Sequence, residues 1–346
     1  MTPLRIGLIG AGRMGTYHLE TYERMEEATV VALVEPDEAL ARARIGRRPI
    51  DWVPDHWALA ERGDIDAVSI CTPSQHHATV TMDALSAGLH VLVEKPIATS
   101  LEDALRMAAA ARTAGRKLMV GHVERFNPAV AKLAELIDEG RIGDVFRVHA
   151  TRVGPLPERI RDVGVAIDLA THDLDIMQVV LGRDITSVYA DGASFRHPSE
   201  EDLLTCLLRF GDDGPFGLLD VNWLTPEKRR ELTVIGERGM LTASYITQDV
   251  WLTECAEAPT SWDELARVRG DAEGSALRFA LRRVEPLRRE LEAFVACVRD
   301  DTPEPVSAYD GCRTLIAALA VRESATHRRP VQLLDMPAPA RVRVAA

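Results

Sequence analysis

The six residues Leu4-Arg5-Ile6-Gly7-Leu8-Ile9 run directly into Gly10-Ala11-Gly12-Arg13-Met14-Gly15, and no other stretch narrows the fold as far. A short, mostly apolar run reads as a buried strand, and the residues after the glycines open a helical stretch. A second apolar run, Thr29-Val30-Val31-Ala32-Leu33-Val34, ends in Glu35, 20 residues past Gly15. Strand, glycine loop, helix, strand and acid in that order form a dinucleotide-binding fingerprint. Gly10 permits the tight turn, Gly12 lets a pyrophosphate approach the backbone, and Gly15 lets helix and strand pack closely. Arg13 and Met14 open the helix, whose free N–H groups and partial positive charge favour phosphate.

Glu35 selects the dinucleotide. A carboxylate there binds ribose hydroxyls and repels a 2′-phosphate, and Pro36-Asp37-Glu38 brings no cation to reverse that. The reading is NAD rather than NADP; Arg42 and Arg44, folding back, would favour the opposite outcome.

Helix and strand runs keep alternating as far as Gly121. Trp57 to Arg62 reads as helix, Ala67 to Cys71 as strand, Ala78 to Ala87 as helix and His90 to Val93 as strand. Leu101 to Ala114 then reads as helix and Lys117 to Val120 as strand. The alternation predicts a doubly wound parallel sheet with ligands at the carboxyl ends of its strands. Two of those ends are chemically unusual. Thr72-Pro73-Ser74-Gln75-His76-His77 is polar and rigid, suited to lying along a cofactor. In Glu94-Lys95-Pro96 the proline biases Lys95 towards an extended backbone, presenting its ammonium at the sheet edge; a solvated loop lysine is the plainer reading.

The rhythm breaks at His122. The expected division is a dinucleotide-binding domain over 1–122 and a substrate-binding and oligomerisation domain over 123–346. The second opens with a helix ending near Gly140 and a strand through Val145 to Arg152. Val163 to Ile176 is a helix on which Asp168 and His172, four apart, lie one above the other at about 6 Å. A carboxylate beside an imidazole orients the ring and raises its basicity, which makes a proton-handling pair. A capping acid and an ordinary core histidine are the plainer alternative. Strand runs at Leu203 to Phe210, Phe216 to Leu224 and Glu231 to Ile235, with Asp212-Asp213-Gly214-Pro215 and Glu237-Arg238-Gly239 as turns, predict an open, largely antiparallel sheet. One face takes the Asp168–His172 helix. The other, expected to carry Leu219, Val221 and Trp223, needs a cover such as a second subunit. Residues 256–275 read as a surface loop, Pro286 to Arg299 and Tyr309 to His327 as helices, and the residues from Met336 on as a loose tail.

Composition excludes several classes. With 41 Lys and Arg against 53 Asp and Glu, the net charge of −12 and the lack of a basic stripe argue against nucleic acid. The five cysteines are odd in number and lack a C-x-x-C, so they read as buried thiols in a reducing compartment. The histidines and acids form no metal-ligand set at recognisable spacing, so no metal is expected. No apolar run reaches membrane-span length and no signal-peptide pattern opens the chain, which places the protein in the cytoplasm.

The fingerprint, Thr72-Pro73-Ser74, Glu94-Lys95-Pro96 and Asp168-x-x-x-His172, taken in order along one chain, resemble the glucose-fructose oxidoreductase / inositol dehydrogenase (Gfo/Idh/MocA) family over nearly its whole length. Gly121 to Pro128, Arg152-Val153-Gly154-Pro155, Arg159 to Gly164 and Ile167 to Asp173 look like the branch that oxidises C3 of UDP-N-acetylglucosamine. The resemblance implies an α/β architecture, a Rossmann domain followed by an open-faced α/β domain that often oligomerises through its sheet, here as a dimer or tetramer. It also implies that Gly10, Gly12, Gly15, Glu35, Thr72, Pro73 and His77 bind NAD, with Glu94 near the nicotinamide ribose. Lys95 matches the catalytic lysine, and Asp168 with His172 the acid–base pair. Ser74 stands where relatives often carry Asn, Glu35 where Asp is commoner, and Ala170 where many have Gly.

Oxidising a secondary alcohol needs a hydride acceptor, a base and a stabiliser of the developing alkoxide. NAD is the acceptor, His172 oriented by Asp168 the base, and Lys95 the cation; Lys95 as base is the swapped assignment. Arg125, Arg152, Arg159 and Arg161 flank the helix and are candidates to clamp a diphosphate, favouring a nucleotide-sugar. An inositol or free-sugar dehydrogenase, an NAD-binding regulator without turnover, and a metal-dependent hydrolase or aldolase are the rival readings.

Overall fold

A computed structural model describes residues 2–156, 163–255 and 273–333 and divides the chain into two units. The first contains Met1–Phe126 and Val284–Ile316. Its strands β1 (Leu4–Ile9), β2 (Ala28–Val34), β3 (Asp51–Val53), β4 (Ala67–Ile70), β5 (His90–Glu94) and β6 (Leu118–Gly121) form a parallel sheet in the order β3-β2-β1-β4-β5-β6. The strand order reverses between β1 and β4, where open α/β sheets bind ligands. Ile6, Leu8, Val68, Ile70, Val91 and Val93 are buried, as expected when helices cover both faces. The helices are α1 (Arg13–Tyr22), α2 (Glu38–Ile45), α3 (His56–Ala60), α4 (His77–Ser86) and α5 (Leu101–Ala114).

Local chemistry sets their ends. Asp37, Asp55 and Ser100 accept the backbone N–H groups of Leu40, Ala58 and Asp103 at 3.0, 2.9 and 3.1 Å, supplying side-chain caps to otherwise orphaned donors. Gly115 closes α5 with a left-handed φ of +61°. At three residues, β3 is too short to leave a readable period.

The expected cut near residue 122 differs from the observed division in two respects. The break falls after Phe126, and α8 (Pro286–Arg299) returns to the first unit, where it packs against α1. An amphipathic helix announces a buried face but not the surface that buries it.

The second unit contains Asn127–Arg283 and Ala317–Asp335. Its strands are β7 (Val145–Pro155), β8 (Ser187–Ala193), β9 (Leu203–Arg209), β10 (Phe216–Asn222), β11 (Leu224–Gly236), β12 (Gly239–Ser244), β13 (Asp249–Cys255), β14 (Glu273–Phe279) and β15 (Val331–Gln332). They are ordered β14-β13-β12-β11-β7-β10-β9-β8-β15; β7 and β10 pair in parallel and every other neighbour antiparallel. One core gathers α6 (Pro128–Asp138), α7 (Thr171–Leu181) and the part of α9 (Ala308–His327) from Ala317 on.

Leu219, Val221 and Trp223 lie in that core, at 0, 0 and 2 % exposure, and β10 packs against the turn before α7. This corrects the expectation that they mark the uncovered face. The opposite register, Leu218 with its partners Leu207 and Tyr189, occupies that face. A period of two says which residues share a face, not which face meets the helix. Of the expected loop, residues 256–272 lie outside the described residues and 273–275 begin β14, while the expected tail from Met336 is wholly outside them. No helix among the described residues is long and apolar enough to cross a membrane.

Candidate active site

In the first unit the glycine loop is shaped as its chemistry demands. Gly10 has a φ of +102°, and a Cβ there would stand 2.8 Å from the Cys71 carbonyl oxygen. At Gly15 a Cβ would come within 1.9 Å of the Gly10 carbonyl oxygen, so only glycine lets α1 leave the loop this tightly. A Cβ at Gly12 would meet nothing within 4 Å, leaving the backbone open to approach. Glu35, at the end of β2, accepts the Ala11 N–H at 3.0 Å and the Asp37 N–H at 3.2 Å, and its acid therefore sits against the loop. Arg42 pairs with Glu38 at 2.7 Å and Arg44 donates to the Ala11 carbonyl at 3.3 Å. Arg13 is exposed and donates to the Tyr17 hydroxyl at 2.7 Å; Met14 is half-buried.

The two polar strand ends are joined through His77. Its Nδ1 lies 2.8 Å from the Pro96 carbonyl oxygen and its Nε2 3.0 Å from that of Thr72. Burial lowers its pKa, and a neutral ring carries one N–H, so it donates to one carbonyl at a time. His77 is 1 % exposed and braces the Thr72-Pro73 turn against the Lys95-Pro96 turn. The Lys95–Pro96 peptide is cis and Lys95 is half-buried. Glu94 accepts from His18 Nε2 at 2.9 Å. Burial pushes the Glu94 carboxyl up, but the His18 hydrogen bond and charge and the Lys95 ammonium outweigh it and hold it low.

In the second unit Asp168 lies in a π-helical turn, Ala166–Ala170, and His172 in the first turn of α7. A wide turn of this kind re-aims side chains and recurs at functional sites. Glu201 starts it, accepting the Ala166 N–H at 2.9 Å while its carbonyl accepts from Val165 at 3.0 Å. A Cβ at Gly164 would collide with that carboxylate at 2.2 Å. From Gly164 to Val180 every residue is buried except Ile167, Asp168, His172 and Val179, which are partly exposed; Asp168, His172 and Val179 share one helical stripe. The two residues expected as an acid–base pair thus lie on the partly exposed line of an otherwise buried helix.

The arginines expected to clamp a diphosphate are placed differently. Arg152 is buried and forks onto Asp173, at 2.6 and 3.2 Å, with Tyr245 5.6 Å from its guanidinium. Arg125 is buried, 3.4 Å from Asp310. Both serve buried carboxylates, which sequence position beside a helix could not disclose. Arg159 and Arg161 lie outside the described residues. His18, Glu201 and Glu290, missed in the sequence, lie on or beside elements whose patterns read as ordinary. Four of the five cysteines are buried or half-buried and Cys255 is exposed, correcting one of the expected buried thiols.

Residues 4–122 match the family model described as an oxidoreductase family with an NAD-binding Rossmann fold, and residues 130–242 match the GFO/IDH/MocA C-terminal domain. Inositol 2-dehydrogenase 4 of Saccharopolyspora erythraea is 30% identical over 344 residues, covering 96% of this chain and 97% of that protein. The chain belongs to the Gfo/Idh/MocA family. Its relatives include inositol 2-dehydrogenases and UDP-N-acetylglucosamine 3-dehydrogenase, and this chain is an NAD-dependent oxidoreductase of that family. UDP-N-acetylglucosamine 3-dehydrogenase of Acidithiobacillus ferrooxidans is 26% identical, covering 93% of this chain and 97% of that protein. The solved structure of that enzyme aligns with a TM-score of 0.82 at 23% identity, over 94% of this chain and 99% of its own. The WlbA dehydrogenase of Bordetella pertussis, solved with NADH and UDP-GlcNAcA, shares the fold with a TM-score of 0.80 at 23% identity, over 96% of this chain and 100% of its own.

Proposed function

We propose that the chain oxidises a secondary hydroxyl of a nucleotide-sugar, with C3 of UDP-N-acetylglucosamine as the first candidate. The observation that carries an alcohol-oxidising site is the accessible stripe of Asp168 and His172 on a buried helix. Bound NAD supplies the acceptor for the hydride leaving the carbinol carbon. His172 takes the hydroxyl proton, oriented by Asp168, and the Lys95 ammonium stabilises the developing alkoxide. Lys95 as base is the swapped arrangement. Replacing His172 with Ala and, separately, Lys95 with Met is expected to slow hydride transfer by roughly 10²- to 10⁴-fold each, read as single-turnover NADH formation. The variant that loses the acidic limb of the pH profile, the rise of rate with pH, identifies the base.

The nucleotide-sugar rests on the Gly121 to Pro128 and Ile167 to Asp173 runs and on the similarity to UDP-N-acetylglucosamine 3-dehydrogenase. Arg125 and Arg152 lend it less support than expected, because both are turned to buried acids. An inositol or free-sugar dehydrogenase is the second reading, favoured by the inositol 2-dehydrogenase at 30% identity. Turnover of UDP-N-acetylglucosamine against myo-inositol, scyllo-inositol and glucose, followed as NADH absorbance, separates them; preference for a free polyol overturns the first reading. We further propose a homo-oligomer, dimer or tetramer, closed over the uncovered sheet face, and a reducing cytoplasmic setting, the latter supported by five free cysteines.

A further inference from the structure

Glu290 is a fully buried acid of the first unit with no structural account so far. It stands on α8 among Leu287, Leu291 and Phe294, at a position where amphipathic spacing calls for an apolar side chain. Its exposure is 0 %, and neither carboxyl oxygen has a hydrogen-bond partner among the described residues. One of its oxygens, a Glu94 oxygen and a His18 ring nitrogen all lie within 4.8 Å of one another. His18 Nε2 is spent on Glu94, and His18 Nδ1 has no partner among the described residues.

Two ionised carboxylates this close in a dry site repel strongly, so the pair must hold either a proton or a cation. A divalent ion held by these three residues would need water or second carboxylate oxygens to complete its shell. The groups around it do not extend the set. Tyr22, facing from α1, bonds Ser69 at 2.8 Å, and Cys71, at the end of β4, is held as a thiol by burial first and then by the Glu94 charge. The His18 hydrogen bond and the neighbouring Lys95 ammonium assign the negative charge to Glu94. A proton on Glu290 removes the second negative charge with no further ligand.

We propose that Glu290 is a positioning residue: it stands as an uncharged acid and keeps Glu94 the single negative charge of the His18–Glu94–Glu290 cluster. The proposal rests on the reading that Glu94 meets the nicotinamide-side ribose. Burial, then the Glu94 charge, raise the Glu290 pKa well above the usual carboxylate range. Folding therefore takes up a proton, and the stability it lends is complete below the unfolded pKa and lost as pH rises through the folded one. Ionising Glu290 would push Glu94 out of its alignment with His18 and weaken the ribose contact. NADH reads that contact best, because its nicotinamide carries no charge to respond to the new anion.

The test is an infrared difference spectrum, wild type minus E290Q, on the NADH-bound enzyme near neutral pH, with NADH affinity measured across the pH range in which the acid titrates. The expected result is a protonated-carboxyl stretch that E290Q lacks. NADH affinity should fall about threefold or more as that band titrates away in the wild type and stay flat in E290Q. Only carboxylate bands, one divalent ion per chain by elemental analysis, or an identical pH profile in both proteins overturns the proposal. If E290Q does not fold, E290D serves, shifting the acid band instead of abolishing it. Unchanged NADH affinity in E94Q would remove the ribose reading alone, since the infrared band reports the Glu290 proton independently.

Discussion

Asp173 illustrates how much a residue's neighbours on the chain conceal. It adjoins His172 and faces away from it, so a helical wheel removes it from the proton chemistry. The structure gives it the buried Arg152 guanidinium, with both side chains 1 % exposed. Breaking such a pair from one side leaves a buried charge without its forked carboxylate. Asp173→Ala should cost about 3 kcal/mol or more, read as a lowered urea midpoint at unchanged m-value. Glu35 was legible because its distance from the glycines is fixed by one strand–helix–strand unit. Its bond to the Ala11 N–H steadies the glycine loop as well. Glu35→Ala should weaken NAD roughly tenfold, about 1.4 kcal/mol, and narrow the preference over NADP, measured by titrating each cofactor.

At the scale of elements, the start of α9 is built as a reciprocal cap. Ser307 Oγ accepts the Asp310 N–H at 3.2 Å, and Asp310 accepts the Ser307 N–H at 2.9 Å. Burial pushes the Asp310 carboxyl up, but the charge of Arg125, the Ser307 hydroxyl and Arg313 outweigh it and hold it at about 2, from an ordinary 3.8. A depressed acid lends stability above its unfolded pKa and loses it as pH falls through the folded value. Asp310→Asn should therefore lose about 2 kcal/mol at neutral pH, with the gap to wild type closing between about pH 4 and pH 2 in denaturant titrations. Ser307-x-x-Asp310 is visible in the sequence, but the arginine that strengthens it lies far away on the chain, before the first break between the two units. The π-helical turn at Asp168 was not visible. Its cause is Glu201 and the glycine facing it, brought there by the fold of the second unit.

At the scale of the whole molecule, the nine-stranded sheet leaves a row of side chains on the face away from its helices. Tyr189 and Leu207 are 38 and 39 % exposed and pair across strands with each other, and Leu207 pairs in turn with Leu218. Apolar rows on a sheet face of this breadth mark association surfaces. The double change Leu207→Glu with Leu218→Glu should convert a dimer or tetramer into monomers in light scattering, with the circular dichroism of the fold retained. A wild type that is already monomeric at micromolar concentration would remove the proposal.

The sequence by itself determined what depends on neighbours along the chain. Strand, glycine loop, helix and acid are contiguous, so the parallel sheet, the NAD fingerprint and the helix carrying Asp168 and His172 could all be read from spacing. Tertiary structure alone decided what depends on residues far apart in the chain. Arg152 and Arg125 became partners of buried acids, His77 became a brace between two turns, and Leu219, Val221 and Trp223 went inward. The physical reason is common to all of these. Periodicity fixes which side chains share a face, while the partner that desolvates or neutralises them arrives from another element, and only the fold brings it near.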